Sequence, residues 1–313
     1  MSTILPVISS ILLVMLLGYG LSKRLLTEPV FWQGISKLAY WVLFPVLIIR
    51  TLANATIDIE LLLPLLVIFA VSLILILIYC VWASRLLSQD GPSAASLAQG
   101  GIRHNGFIGL AVLFDMFGLP GQEIGALVLA VLVPPTNVLS VLCVSVLVQR
   151  KQANSISALV VKELLRNPML IAVAIGLTLN GLDFSMPHIL DQSMALLSRA
   201  ALPLLLLSIG ASLSIRALKG DWLVLMVALS TKLLVFPALV LAGALWFNLT
   251  PLVTVCLVVF GALPTAVSAY PFIQQMGGNA KLMADIITLQ TLASLIGLTF
   301  WASLAIHMTG LVL

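Results

Sequence analysis

The chain has 313 residues, of which 61% are hydrophobic and only 8% charged, with a formal net charge of +4 at pH 7. Soluble domains hold roughly 45–50% apolar and about 25% charged residues, so a water-soluble globule is excluded: too little charge is available to wet its surface. The chain reads as an all-α polytopic membrane protein, and its length counts spans, not globular domains.

The stretch from Met1 to Leu21 has neither a basic leader nor a small-residue cleavage site, which predicts a retained first helix and not a signal peptide. Apolar runs near the bilayer-crossing length of about 20 residues, bounded by charged or turn-forming clusters, then predict ten spans. Their limits are 3–22, 34–53, 61–84, 94–117, 123–148, 168–183, 188–214, 222–247, 251–276 and 283–309. The sixth is cut short by Asn180 and Asp183 and opens on Asn167-Pro168, a normal helix start. The longest connection, 149–167, divides the chain into a five-helix repeat at 1–148 and a second at 168–313. Five is odd, so the second set enters the membrane from the opposite side and the repeats are inverted.

The second span carries Pro45, and Pro203 in the seventh is taken as its counterpart. The fourth span is interrupted by the polar knot Arg103-His104-Asn105-Gly106, and the ninth by Leu263-Pro264-Thr265-Ala266. A glycine follows each knot at the same distance, His104 to Gly118 and Pro264 to Gly278. Helices broken at corresponding points of two inverted halves point to the substrate site of a secondary transporter. Each break exposes a half-helix N-terminus with unpaired N–H groups and a partial positive charge, and Arg103 adds a planar cationic fork suited to carboxylate. His104, Asn105, Thr265 and Ser268 supply short polar groups, while Gly106 and Pro264 loosen or interrupt the backbone. The competing reading is that Arg103 snorkels to a membrane face or pairs with a structural carboxylate.

In the fifth span, Pro134-Pro135-Thr136-Asn137 places a kink before an amide, Asn137, that could orient substrate or pack helices. Lys232 in the eighth span and Arg199 in the seventh read as structural tethers. The tenth span carries Asp285, Thr288, Gln290 and Thr291. Asp285 is a candidate for proton or cation coupling, a counter-ion for Arg103, or an interface residue beside Lys281. The cysteines Cys80, Cys143 and Cys256 lack CxxC spacing, so neither disulfide nor metal site is indicated.

Lys23, Arg24, Arg85, Arg150, Lys151, Lys162, Arg166, Arg216, Lys219 and Lys281 fall on one side of this topology. Asp58, Glu60, Glu123, Asp183 and Asp191 fall on the other, with Arg50 the basic exception. By the positive-inside bias the basic side is cytoplasmic, which makes 149–167 a cytoplasmic connector and puts both termini outside.

Five stretches resemble the auxin efflux carrier family of membrane transporters: Gly101 to Leu110, Arg166 to Ala172, Leu202 to Leu213, Lys232 to Pro237, and Ala262 to Ala266. The resemblance covers essentially the whole chain. It implies ten spans in two inverted five-helix repeats with crossing, broken helices 4 and 9, as in folds of the bile acid sodium symporter and NhaA type. It also implies a scaffold of spans 1, 2, 6 and 7, often dimeric, against which the other spans move. Bacterial relatives include malonate and malate permeases; plant relatives export auxin. The family often has proline at the first crossover, where this chain has His104, and the plant members' long hydrophilic loop is missing, as suits a compact prokaryotic type in the bacterial inner membrane.

The expectation is therefore a secondary transporter of a small organic anion, a mono- or dicarboxylate, moving by an elevator cycle with H+ or Na+ as possible coupling ion. No cofactor, metal or nucleic acid is expected, and the absent GxxxxGK loop argues against direct ATP coupling. A sodium-coupled bile-acid-type symporter and a membrane ligand sensor are the alternatives. An intramembrane protease finds neither paired aspartates at matching depth nor a GxSxG turn.

Overall fold

The structure, a computed structural model, describes residues 4–56, 58–148, 156–213 and 221–312; Arg150, Lys151, Arg216 and Lys219, which carry part of the orientation argument, lie outside them. Among the described residues the chain is helical throughout, without a strand. The helices are α1 (Ile4–Arg24), α2 (Pro29–Leu38), α3 (Phe44–Ala53), α4 (Leu62–Leu86), α5 (Gly91–Ile102), α6 (Gly106–Leu147) and α7 (Ile156–Leu165). There follow α8 (Pro168–Gly181), α9 (His188–Ser212), α10 (Trp222–Ser230), α11 (Phe236–Trp246), α12 (Pro251–Gly261), α13 (Ala269–Met276) and α14 (Ala280–Thr309).

Seven helical stretches are long and apolar enough to cross a membrane: Leu5–Arg24, Pro29–Ala53, Ile59–Leu86, Gly91–Leu147, His188–Ser212, Trp222–Trp246 and Ala280–Thr309. Pro168–Gly181 and Pro251–Gly261 are shorter apolar helices. Gly91–Leu147, at 57 residues, far exceeds one crossing. It is interrupted at residues 103–105 and again at Gly118, whose φ of 65° lies in the left-handed region that favours glycine. In the second half the left-handed turn residue is Gly277, φ 82°, and not its neighbour Gly278.

Two helices widen into a π turn immediately before a Phe-Pro pair. Ala39–Leu43 joins α2 to α3 ahead of Phe44-Pro45, and Thr231–Val235 joins α10 to α11 ahead of Phe236-Pro237. Proline has no N–H and clashes with the carbonyl four residues back; an extra residue in the turn relieves the clash and lets the helix continue. The carbonyl that Pro237 cannot reach, that of Leu233, accepts instead from the Trp301 indole at 2.6 Å. Pro203, its counterpart by position, lies inside α9 with no such turn, so the local geometry of Pro45 is shared by Pro237 instead.

Packing separates two groups. In one, α1 runs along α9, and α3 along α8 and α9. A Cβ at Gly210 would run into the Met15 carbonyl, and one at Gly18 into that of Leu207, so α1 and α9 touch backbone to backbone. Arg50, the basic exception among the acidic loops, is held within this group by Asp191 at 2.8 Å. In the other group α4 packs on α5, α11 on α12, and both α5 and α12 on α14. The two groups meet where α1, α3, α8 and α9 touch α6 and where α1 touches α14.

Candidate functional site

The polar knot in the first half is a true interruption. After Ile102 the chain leaves the helix, with Arg103 extended at φ −84°, ψ 138°, and α6 begins at Gly106. The Asn105 side chain caps α6 by accepting from the Ile108 N–H at 3.4 Å. In the second half α12 ends at Gly261 and α13 begins at Ala269, so Pro264, Thr265 and Ser268 all lie between helices.

In an apolar interior each freed backbone group must find a partner, and the two breaks supply one another. The Asn105 N–H donates to the Pro264 carbonyl at 2.8 Å. Gln290 of α14 completes the joint: its Oε1 accepts from the Thr265 N–H at 3.0 Å, and its Nε2 donates to the carbonyls of Gly100 at 3.1 Å and Ala228 at 2.6 Å. The Thr265 hydroxyl lies 2.6 Å from both the Gly100 carbonyl and Gln290 Oε1. Thr265 is fully buried and does not line the adjoining cavity; it fastens the crossing.

That cavity, about 60 Å³, is lined by Tyr40, Arg103, His104, Asn105, Asn137 and Ser268 among others. By the usual measure it has room for a few waters. Arg103 spans it: Nη2 reaches Asn137 Oδ1 at 3.5 Å, and the guanidinium carbon lies 4.8 Å from the centroid of the Phe272 ring. Arg103 Nη1 and Asn137 Nδ2 are buried donors with no hydrogen-bond partner. Buried donors without acceptors are costly, and two of them at one cavity, one on a guanidinium, have the chemistry to take up an oxyanion.

His104 turns the other way. Its Nε2 is 2.8 Å from Nζ of Lys232, and its ring packs edge-on to Phe236 at 4.4 Å. Lys232, read as a structural tether, is held by an imidazole and an aromatic face. Arg199, read as a structural tether, is exposed and lines a second cavity. Asp285 is fully buried and does not line the small cavity.

The second cavity, about 760 Å³, lies between α1, α3, α6 and α9 and holds Arg50, Asp115, Glu123 and Arg199. Tyr40 and Phe107 line the small cavity, and Leu47 and Ala111, one or two turns along the same helices, line the large one. Phe44 and Phe107 meet edge to face at 4.4 Å between them.

Sequence reasoning missed Tyr40, Phe107 and Phe272. Tyr40 had a usable signal: it lies five residues before Pro45, inside the π turn that the proline requires. Phe107 and Phe272 look like ordinary membrane aromatics until the fold brings them to the site.

A family model described as membrane transport protein matches residues 3–302. No curated protein matches the chain.

Proposed function

Since the chain belongs to the membrane transport protein family, that of the auxin efflux carriers, and is thereby a multi-pass membrane transporter, we propose that its cargo is a small organic anion, a carboxylate docked on Arg103. The observation that carries this reading is the pair of partnerless buried donors, Arg103 Nη1 and Asn137 Nδ2, at the cavity beside the two helix breaks. An arginine in a membrane interior costs about 2.5–3.5 kcal/mol on insertion scales, which argues for a functional reason to keep it there. Ser268 and Asn105 lie at the same cavity as further orienting groups. Thr265, Gly106 and Pro264 serve the reading indirectly, by building the crossing.

The transport mode we favour is an elevator. Counting α5 with the start of α6, and α12 with α13, as two broken spans gives ten crossings in two inverted repeats. Such a repeat relates α1 to α8 and α3 to α9, so the contact of α1 with α9 implies one of α8 with α3, and both occur. It likewise relates the contact of α4 with α5 to that of α11 with α12. On this reading spans 1, 2, 6 and 7 are the scaffold, and the dimer contact if the protein pairs. The site rides on the other spans, and the large cavity is a vestibule on the acidic, outer side. The protein would then sit in the bacterial plasma membrane with both termini outside.

The test is counterflow of labelled malonate into malonate-loaded proteoliposomes. Wild type should accumulate label and Arg103→Gln should fall to background while remaining monodisperse. Equal counterflow from both would exclude Arg103 as the docking group, no malonate counterflow or binding by wild type would count against the anion reading, and binding without counterflow would favour a ligand sensor.

A further inference from the structure

We propose that His104 and Lys232 form one proton-binding pair, which couples anion binding at Arg103 to uptake of a proton. The inference rests on the anion reading above and deepens it by naming the coupling ion and its carrier.

Lys232 is 1% exposed and sits in the π turn Thr231–Val235, on a helix remote in sequence from the first break. Its Nζ lies 2.8 Å from His104 Nε2 and 4.8 Å from the Phe236 ring centroid. Two bases in hydrogen-bond contact need one donor and one acceptor, so they hold a bridging proton between them. His104 also lines the cavity that Arg103 spans, whereas Lys232 does not. The imidazole is therefore the link between cavity and lysine.

The proton balance is simple. In the unloaded pair the imidazole Nε2–H donates to the amine of Lys232, leaving the Nδ1 lone pair. A proton arriving at Nδ1 releases the Nε2 proton to Nζ. The result is an ammonium that donates back to Nε2, and an imidazole in its other tautomer. A carboxylate on Arg103 favours this charged form, because a nearby negative charge stabilises a cation. The charged and titratable groups around the pair are Arg103 in the same break and Tyr79 and Cys80 on α4; α14, the helix packed against the π turn, carries Asp285. Around Arg103 they are Tyr40 and Glu163. A purely structural lysine, gluing α10 to the break, would show no proton linkage.

The experiment is calorimetric titration of the purified full-length protein with malonate at pH 7, in buffers of different ionisation enthalpy. Wild type should take up close to one proton per malonate bound. Lys232→Met and His104→Asn should bind more weakly and with uptake near zero. Lys232→Met replaces a buried amine by an apolar side chain of similar length, so it should fold; His104→Asn gives an independent reading. Zero uptake in wild type, or uptake unchanged in both variants, overturns the pair while leaving the anion site standing. If wild type binds no malonate, the anion reading fails, and ¹⁵N-imidazole spectra judge the pair alone. The chain has only 3 histidines, so the His104 signal is readily assigned. Its tautomer should switch with pH in wild type and not in Lys232→Met; the same behaviour in both overturns the pair.

Discussion

The backbone N–H of Asn105 donates to the carbonyl of Pro264 across 2.8 Å, joining a break in the first half of the chain to one in the second. Each break frees polar backbone in a setting where water cannot satisfy it. Their meeting explains how two interrupted helices persist side by side, and why Gln290 stands at the centre of the joint.

Gln290→Leu should be among the most destabilising single changes in the chain. It leaves the Thr265 N–H and the Ala228 carbonyl without this partner, at about 1–3 kcal/mol for each buried group left unsatisfied. Thermal unfolding in detergent should show a large fall in Tm, with carboxylate transport lost alongside; an unchanged Tm would mean the joint is dispensable.

Trp301→Phe removes one hydrogen bond together with part of a buried ring. A smaller phenyl replaces the indole and the N–H is lost, so the Leu233 carbonyl that Pro237 has already deserted loses its partner. A loss of about 1–3 kcal/mol is expected by denaturant titration. Pro237→Ala should soften that loss in the double variant, because the helix can then close its own bond.

Gly210→Val should split the scaffold contact. The added Cβ meets the Met15 backbone, which cannot swing aside as a side chain could. Overpacking of this kind costs about 1–3 kcal/mol or more, and a lowered Tm checks it. Ala at the neighbouring, exposed Ser212 should have little effect.

The movement proposed between the two packing groups is tested by trapping it. Gln122 Nε2 of α6 donates to Thr51 Oγ1 of α3 at 2.8 Å, beside the large cavity. With cysteines at both positions, a short bis-methanethiosulfonate bridge should abolish malonate counterflow, and reduction should restore it. The three native cysteines are buried, so background labelling should be low. Undiminished counterflow in fully bridged protein would mean that these surfaces do not shift during transport.

Much of this architecture was legible because polar residues are conspicuous in an apolar chain. Arg103, Asn105 and Pro264 announced the breaks by composition alone, and Asn137 stood out as an amide after two prolines. What stayed hidden depends on contacts distant in sequence. Thr265 looked like a substrate ligand, but its hydroxyl is taken up by Gly100 and Gln290, a partnership that no local pattern reveals. Lys232 and His104 are 128 residues apart, and nothing around either predicts the other. The two prolines matched by position, Pro45 and Pro203, differ in geometry because the neighbouring turn decides whether a helix absorbs a missing N–H by widening.

The claim on which the account depends is that the anion sits on Arg103 beside the crossing. A cryo-EM map of the protein saturated with bromomalonate tests it most directly. The account predicts ligand density in contact with the Arg103 guanidinium and the Asn137 amide. Density confined to the large cavity between α1, α3, α6 and α9, with Arg103 untouched, would contradict it.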